Sequence, residues 1–95
     1  MVEKITKLKD TSELMTSDLY QERFIAEYGQ TKVRALHLEN MITAYEDKTI
    51  EFEPDTPIEI LKSQLEIMRI YVNILENRSK REKITLPEVD INDDE

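Results

Sequence analysis

The stretch PIEILKSQLEIMRIYVNILENRSKR, residues 57–81, decides the fold because its apolar residues recur at helical spacing on two sides of one helix. One series, the inner seam, alternates steps of four and three residues and comprises Leu61, Leu65, Met68, Val72 and Leu75. A second series, the outer seam, lies about 100° further round the helix and comprises Ile60, Ile67, Ile70, Tyr71 and Ile74. Thr56 as N-cap, Pro57 at the first position and Glu59 at the third predict a capping box at the start of this helix.

The two seams together are wider than one partner helix can cover. They span about 220° of the circumference, whereas the apolar stripe that a packed helix buries is roughly 100–120° wide. A hairpin partner accounts for the inner seam. The outer seam then has to meet the terminal segments of the same chain or another subunit. We predict the second of these, a homo-oligomer whose interface is the outer seam.

A first long helix is predicted upstream, over residues 18–46. Asp18 and Gln21 form a weak capping box at its start. Gly29 lies in mid-helix, where it costs roughly 1 kcal/mol relative to alanine, so it either admits a close neighbour or marks a bend. The apolar positions recur in steps of four and three, with Thr31 in the one polar slot, and comprise Tyr20, Phe24, Tyr28, Ala35, Leu38, Ile42 and Tyr45.

The predicted fold is all-α: an antiparallel two-helix hairpin with short extended loop and tail segments, assembling as a homo-oligomer. Residues 1–17 form a polar lead-in, either one amphipathic helical turn or a disordered segment. The hairpin occupies residues 18–83, with helices over 18–46 and 57–81 joined by a loop over 47–56. Within that loop Ile50 and Phe52 predict a short extended piece. Residues 84–95 form an extended acidic tail that crosses a groove of its own subunit or of a neighbour.

Several classes of function are excluded by composition. The 95-residue chain has no cysteine, which excludes disulfides, thiolate metal sites and a cysteine nucleophile. The sequence has no turn of the kind that presents a catalytic serine, so its single histidine, His37, cannot act in a serine triad, and no second metal ligand lies at a suitable spacing from it. One glycine cannot build a phosphate-binding loop. No run approaches the roughly 20 apolar residues of a membrane span. We therefore predict a protein that is not an enzyme, takes no metal or cofactor, and does not enter a membrane.

The net charge of −8 is concentrated at one end of the chain. Residues 87–95 hold five acids and no base, so the remaining 16 acidic and 13 basic residues give only −3. Neither the chain nor its body is basic, which argues against direct binding of nucleic acid.

Two charge clusters lie at opposite ends of the predicted hairpin. The loop end is acidic, and the end of the second helix is basic. Cations at a helix C-terminus complement the helix dipole, which explains the basic end without a ligand. The alternative is an anion pocket, in which cations bind phosphate oxygens and aromatic rings contact a base or ribose. Its cations are Arg23, Arg78, Lys80 and Arg81, and its aromatic residues are Tyr20, Phe24 and Tyr71.

Two stretches of the chain resemble a family of small helical-hairpin phage proteins whose function is not established. YQERFIAEYGQTKVRALHLENMI (Tyr20–Ile42) contains the pattern Y/F-x-x-R-x-x-x-E-Y. EFEPDTPIEILKSQLEIMRIYVNILENRS (Glu51–Ser79) is similar to the pattern P-I-E-L-L-x-x-Q-L-x-x-M-x-x-Y-x-x-x-L-E-x-R. Such proteins are found in phages of Firmicutes and in crAss-like phages. The resemblance implies a phage origin and a location in the cytoplasm of the bacterial host.

Three hypotheses for function follow. The first is a homo-oligomer that counters host defence by sequestering a nucleotide immune signal, a cyclic nucleotide or an ADP-ribose derivative, in pockets between subunits. The second is an inhibitor of the anti-CRISPR type, whose acidic loop and tail block a host defence protein that binds nucleic acid. The third is a helical adaptor with no small ligand.

Overall fold

The computed structural model describes residues 3–49 and 53–91, in which two long antiparallel helices pack against each other. The extended piece predicted around Ile50 and Phe52, and the last four residues of the predicted tail, lie outside the described residues. In chain order the elements are β1 (Lys4–Ile5), a 3-10 turn (Leu8–Thr11), α1 (Ser12–Met15), α2 (Tyr20–Glu46), α3 (Ile58–Glu82) and β2 (Glu88–Val89).

The inner seam of α3 forms the contact with α2. Leu65, Val72 and Leu75 are buried, and Leu75 is fully inaccessible to solvent. Val72 and Leu75 belong to the larger of two core clusters, whereas the half-buried Leu61 and Met68 pack against the smaller cluster with Leu65. On α2 the buried side chains that face them comprise Phe24, Tyr28, Ala35 and Ile42. Burial of each large aliphatic side chain contributes about 1.5–3 kcal/mol, so the predicted hairpin is confirmed by the packing that its periodicity required.

Both predicted capping boxes are wrong. Pro57 is itself the N-cap of α3, with φ −52° and ψ 140°, and no side chain caps the helix. The helix therefore starts at Ile58, one residue later than predicted, and Thr56 is too far back to reach the third amide. Leu19 is the N-cap of α2, again without a side-chain cap, and the hydroxyl of Ser17 accepts a hydrogen bond from the Leu19 amide at 3.0 Å instead.

The N-terminal segment contains the helical turn that was one of its two predicted forms, but it also packs on α2 as a layer, which the prediction of a polar lead-in did not include. β1 pairs in parallel with β2, with Lys4 opposite Glu88 and Ile5 opposite Val89. Ile5 is fully buried. The segment holds few apolar side chains, of which Ile5 and Leu14 are buried in the core whereas Leu8 and Met15 are exposed. The C-terminal segment consequently crosses its own chain.

The two terminal segments pack on α2 and leave the outer seam of α3 uncovered. The core that includes Ile5 and Leu14 contains Ile25 and Val33 of α2. β2 also contacts α2. Among the described residues, all five side chains of the outer seam are exposed. The sequence left two candidates to cover this seam, the terminal segments or another subunit. The terminal segments pack on α2 instead of on the outer seam.

Gly29 marks the closest approach between α2 and the N-terminal layer. A Cβ atom at this position would lie 2.5 Å from Cδ1 of Ile5 and 3.2 Å from Cγ2 of Thr11. Both of those side chains are almost completely buried. The glycine thus admits a close neighbour, the first of the two roles predicted for it.

We expect Gly29→Leu to detach the N-terminal layer while the hairpin stays folded. The new side chain overlaps Ile5 and Thr11, and overpacking of this kind typically costs about 1–3 kcal/mol, against roughly 1 kcal/mol regained in helix propensity. Hydrogen exchange should show lost protection of the β1 and β2 amides. Arg34→Leu, at an exposed position of the same helix, is the matched control. Unchanged protection of β1 in Gly29→Leu would contradict the close packing.

Candidate ligand site

Aromatic and charged side chains meet where α2 begins and α3 ends. Tyr20 and Phe24 lie on the first turns of α2, with ring centroids 6.2 Å apart in an edge-on arrangement. The Arg78 guanidinium lies over the Phe24 ring at 5.1 Å and donates a hydrogen bond to the Tyr20 hydroxyl at 2.9 Å. The antiparallel packing of the two helices brings these three predicted site residues together. We call them, with Glu82, the aromatic–arginine cluster.

Glu82 was not predicted as part of this cluster, and it neutralises the charge of Arg78. Its carboxylate accepts a hydrogen bond from the Tyr20 hydroxyl at 2.6 Å and one from Nε of Arg78 at 3.1 Å. The bond from Tyr20 lowers the pKa of the Glu82 carboxyl and raises the pKa of the Tyr20 hydroxyl. The four-residue spacing between Arg78 and Glu82 is the sequence signal that would have found this pair. An anionic ligand at Arg78 has to compete with this carboxylate.

Phe24 cannot stack on a base as predicted. Its side chain is 2% exposed and belongs to the hydrophobic core, and the Arg78 guanidinium lies over its ring. The same periodicity that suggested a role for Phe24 in ligand binding is the periodicity of a core position. Tyr20, at 45% exposure, remains accessible.

The other predicted cations point away from the cluster or stay in solvent. Arg23 donates from Nη1 to the carbonyl of Ser17 at 2.7 Å, which ties it to the loop before α2. Arg81 donates from Nε to Oδ1 of Asn77 at 3.2 Å, and Lys80 is exposed. The predicted pocket therefore contains one central arginine, not three.

The outer seam runs into the aromatic–arginine cluster. Tyr71 is 39% exposed, and its hydroxyl donates a hydrogen bond to Glu27 of α2. Steps of four and three continue along this side of α3 through Ile60, Gln64, Ile67, Tyr71, Ile74, Arg78 and Arg81. The seam and the cluster consequently form one continuous surface, apolar along most of α3 and cationic at its end.

A second groove lies between α2 and α3, on the side of α3 away from the outer seam. It has a volume of about 320 Å³, and apolar side chains from both helices form its floor. Its cations are engaged, since Lys32 lies 3.6 Å from Glu76 and Arg69 pairs with Glu39. Burial raises the pKa of Tyr28, whose hydroxyl donates to Glu76 at 3.0 Å. These pairs fasten the two helices together and leave the groove without unpaired charge to attract an ion.

Two further observations concern the part of the chain that the structure describes. No group of three or more His, Cys, Asp or Glu side chains there could hold a metal ion. None of its helices has the length and apolar character that a membrane crossing requires.

The fold and the site define a class of small helical protein with a packed hairpin, an uncovered outer seam and the adjoining aromatic–arginine cluster. The chain belongs to the Sequestin family, whose profile matches residues 18–81. That range includes α2 and all of α3 except its last residue, Glu82, so it covers the whole outer seam and most of the cluster. Comparison with curated proteins and comparison with solved structures found no significant match.

Proposed function

We propose that this protein is a phage-encoded, non-enzymatic binding protein that counters host defence in the bacterial cytoplasm by sequestering a nucleotide immune signal in pockets between subunits. The name of the matching family suggests sequestration and not catalysis. A sequestering protein needs an enclosed, specific site and no reactive group. A long accessible surface with one cation at its end meets that need once a second subunit encloses it.

The observation that carries the proposal is the continuity of the aromatic–arginine cluster with the uncovered outer seam. Arg78 presents a planar guanidinium suited to phosphate oxygens, and the Tyr20 hydroxyl beside it is a further hydrogen-bonding group. Tyr71 stands two helical turns away from Arg78 on the same side of α3, about 10 Å along the axis. That distance fits a ligand with a phosphate at one end and a base or ribose at the other.

The acidic-inhibitor hypothesis gains no support from the described residues. Glu46 forms an ion pair with Lys62, and Glu53 accepts a hydrogen bond from Tyr45 at 3.4 Å. Acids that already bind within the chain are less suited to docking on a basic channel of another protein.

The proposal is tested by thermal unfolding against a panel of cyclic nucleotides and ADP-ribose derivatives. A ligand at one hundred times its dissociation constant stabilises the folded state by about 2.7 kcal/mol. We expect one ligand class to raise the melting temperature by several degrees, and Arg78→Gln to abolish that rise. Arg34→Gln, an exposed change on α2, should leave it intact. No rise with any compound at millimolar concentration would refute nucleotide sequestration.

We expect Glu82→Gln to tighten ligand binding. The amide keeps an acceptor for Tyr20 but removes the charge that competes with the ligand for Arg78. The dissociation constant should fall on the order of fivefold, because this is the effect of removing one repulsive charge interaction at a solvent-exposed surface. Titration calorimetry measures it, with Glu66→Gln as the control, because Glu66 is exposed on another side of α3. Weaker binding by Glu82→Gln would show that the carboxylate contacts the ligand instead of competing with it.

A further inference from the structure

The outer seam is the one apolar surface of the hairpin that neither α2 nor the terminal segments cover among the described residues. Ile60, Ile67, Ile70 and Ile74 are 50–65% exposed, on a protein whose other isoleucines in the described residues are buried or half-buried. Contiguous exposed aliphatic side chains on a soluble protein mark an interaction surface. The question is which partner this surface fits and in what orientation.

The spacing of the seam fits another helix of the same kind. The line of residues that runs along the seam alternates steps of four and three, which is the pattern of a coiled-coil interface, and Ile70 lies beside that line; the line comprises Ile60, Gln64, Ile67, Tyr71, Ile74, Arg78 and Arg81. The strip is about 30 Å long at 1.5 Å per residue. A strip of that length and of one helix's width buries on the order of 1,000 Å² when two copies meet, which reaches the lower limit for specific association.

Charge decides the orientation. Asp55 precedes α3 and Glu59 lies in its first turn, whereas residues 78–83 carry four cations against one acid, Glu82. Two copies aligned in parallel would place like charges side by side at both ends. Two antiparallel copies place the acidic start of each α3 beside the basic end of the other, and their helix dipoles also oppose. The cations concerned comprise Arg78, Lys80, Arg81 and Lys83.

We infer that the outer seam pairs with the outer seam of a second copy of this chain, antiparallel and around a two-fold axis near the middle of α3. In the register that pairs the residues of this line with one another, Ile67 meets Tyr71 of the second copy, Gln64 meets Ile74, and Ile60 meets Arg78, while Ile70 lies at the border of the interface. Such an interface is self-complementary, as a two-fold dimer requires.

This arrangement completes the ligand site with a second copy. The start of α3 from the second copy, with Ile60, covers the outer side of the aromatic–arginine cluster, and the symmetry creates two such sites. The inference thus deepens the proposed function by naming the surface and orientation that form its pockets between subunits. The pairing itself needs no ligand.

Disulfide formation tests the inference directly, because the chain has no cysteine of its own. Gln64→Cys and Ile74→Cys are prepared in copies of different length, both at exposed positions. In the inferred register each of these positions lies beside the other one in the second copy, and about 15 Å along the axis from its own equivalent. A disulfide joins Cα atoms only about 4.4–6.8 Å apart, so a cross-link should form between the two variants and not within either one. Circular dichroism verifies that each variant keeps its helices, and Glu66→Cys on another side of α3 is the control.

We expect a mixture of the two variants to form the mixed-length disulfide dimer, while each variant alone and the control stay largely uncross-linked. Same-length dimers of both variants would show parallel pairing, and no disulfide in any mixture would show that the seam is not paired; either result overturns the inference. All samples are free of nucleotide. A cross-link together with no thermal shift from any nucleotide would therefore retain the interface and reject only the proposed ligand.

Discussion

Leu75→Asp should unfold the chain. Leu75 is fully buried between the two helices, in the larger core cluster. The substitution removes about 2–5 kcal/mol of packing and places a carboxylate where no cation or water can solvate it. A domain of this size has a stability of only about 5–15 kcal/mol at most. The helical circular dichroism signal at 25 °C should consequently fall to that of a largely unfolded chain.

Ile74→Asp is the matched control for this prediction, because it makes the same change one residue earlier in the same helix. Ile74 is 51% exposed on the outer seam, so its carboxylate stays hydrated within one chain. We expect helix content close to that of the parent protein. Equal loss of helicity in Leu75→Asp and Ile74→Asp would mean that one chain buries both seams. Met68, which is half-buried, should give an intermediate loss as Met68→Asp.

Ile67→Asp should separate the subunits and preserve the hairpin. Ile67 is the most exposed side chain of the outer seam, at 65%, and lies near the centre of the inferred interface. Two-fold symmetry places two new carboxylates in the interface for each substitution. Burial of each without a partner costs several kcal/mol, so the dissociation constant should rise by more than about a hundredfold. Sedimentation velocity over a concentration series measures the change.

Asn73→Asp provides the control for charge in this second experiment. It adds the same negative charge to the same part of α3, at an exposed position that lines the groove on the other side of the helix. We expect it to associate like the parent protein. Dissociation by Asn73→Asp to the same extent would assign the effect to net charge and would contradict the place of the outer seam in the interface.

The hairpin could be predicted from the sequence because its determinants are local. Apolar positions that recur within α3 report which side chains share a side of the helix, and this needs no knowledge of distant residues. The same spacing separates the inner seam from the outer seam, and in the structure Leu65 and Leu75 are buried while Ile60 and Ile67 are exposed.

The N-terminal layer could not be predicted because its partners are distant in sequence. Ile5 is buried only because β1 pairs with β2, more than eighty residues later, and because Gly29 lets it approach α2. Parallel pairing of two-residue strands leaves almost no periodicity in the sequence. The prediction of a capping box at the start of α3 was wrong for a different reason. Pro57 occupies the N-cap position itself and not the first position of the helix.

The candidate site was predicted in part. Antiparallel packing was enough to bring Tyr20 close to Arg78, and it follows from the short connection between the helices. Glu82 could have been found from its four-residue spacing to Arg78. The partners that lie on the other helix depend on the exact register of the two helices, which no pattern in one helix specifies. Glu27, which binds the Tyr71 hydroxyl, is such a residue.

The molar mass of the protein in solution, measured by light scattering across a concentration series, tests most directly whether the outer seam is an interface between copies. We predict a mass of two chains, or of a multiple of two, for the parent protein, and of one chain for Ile67→Asp with unchanged circular dichroism. A parent protein with the mass of one chain at every concentration would contradict both the two-copy interface and the pockets that depend on it.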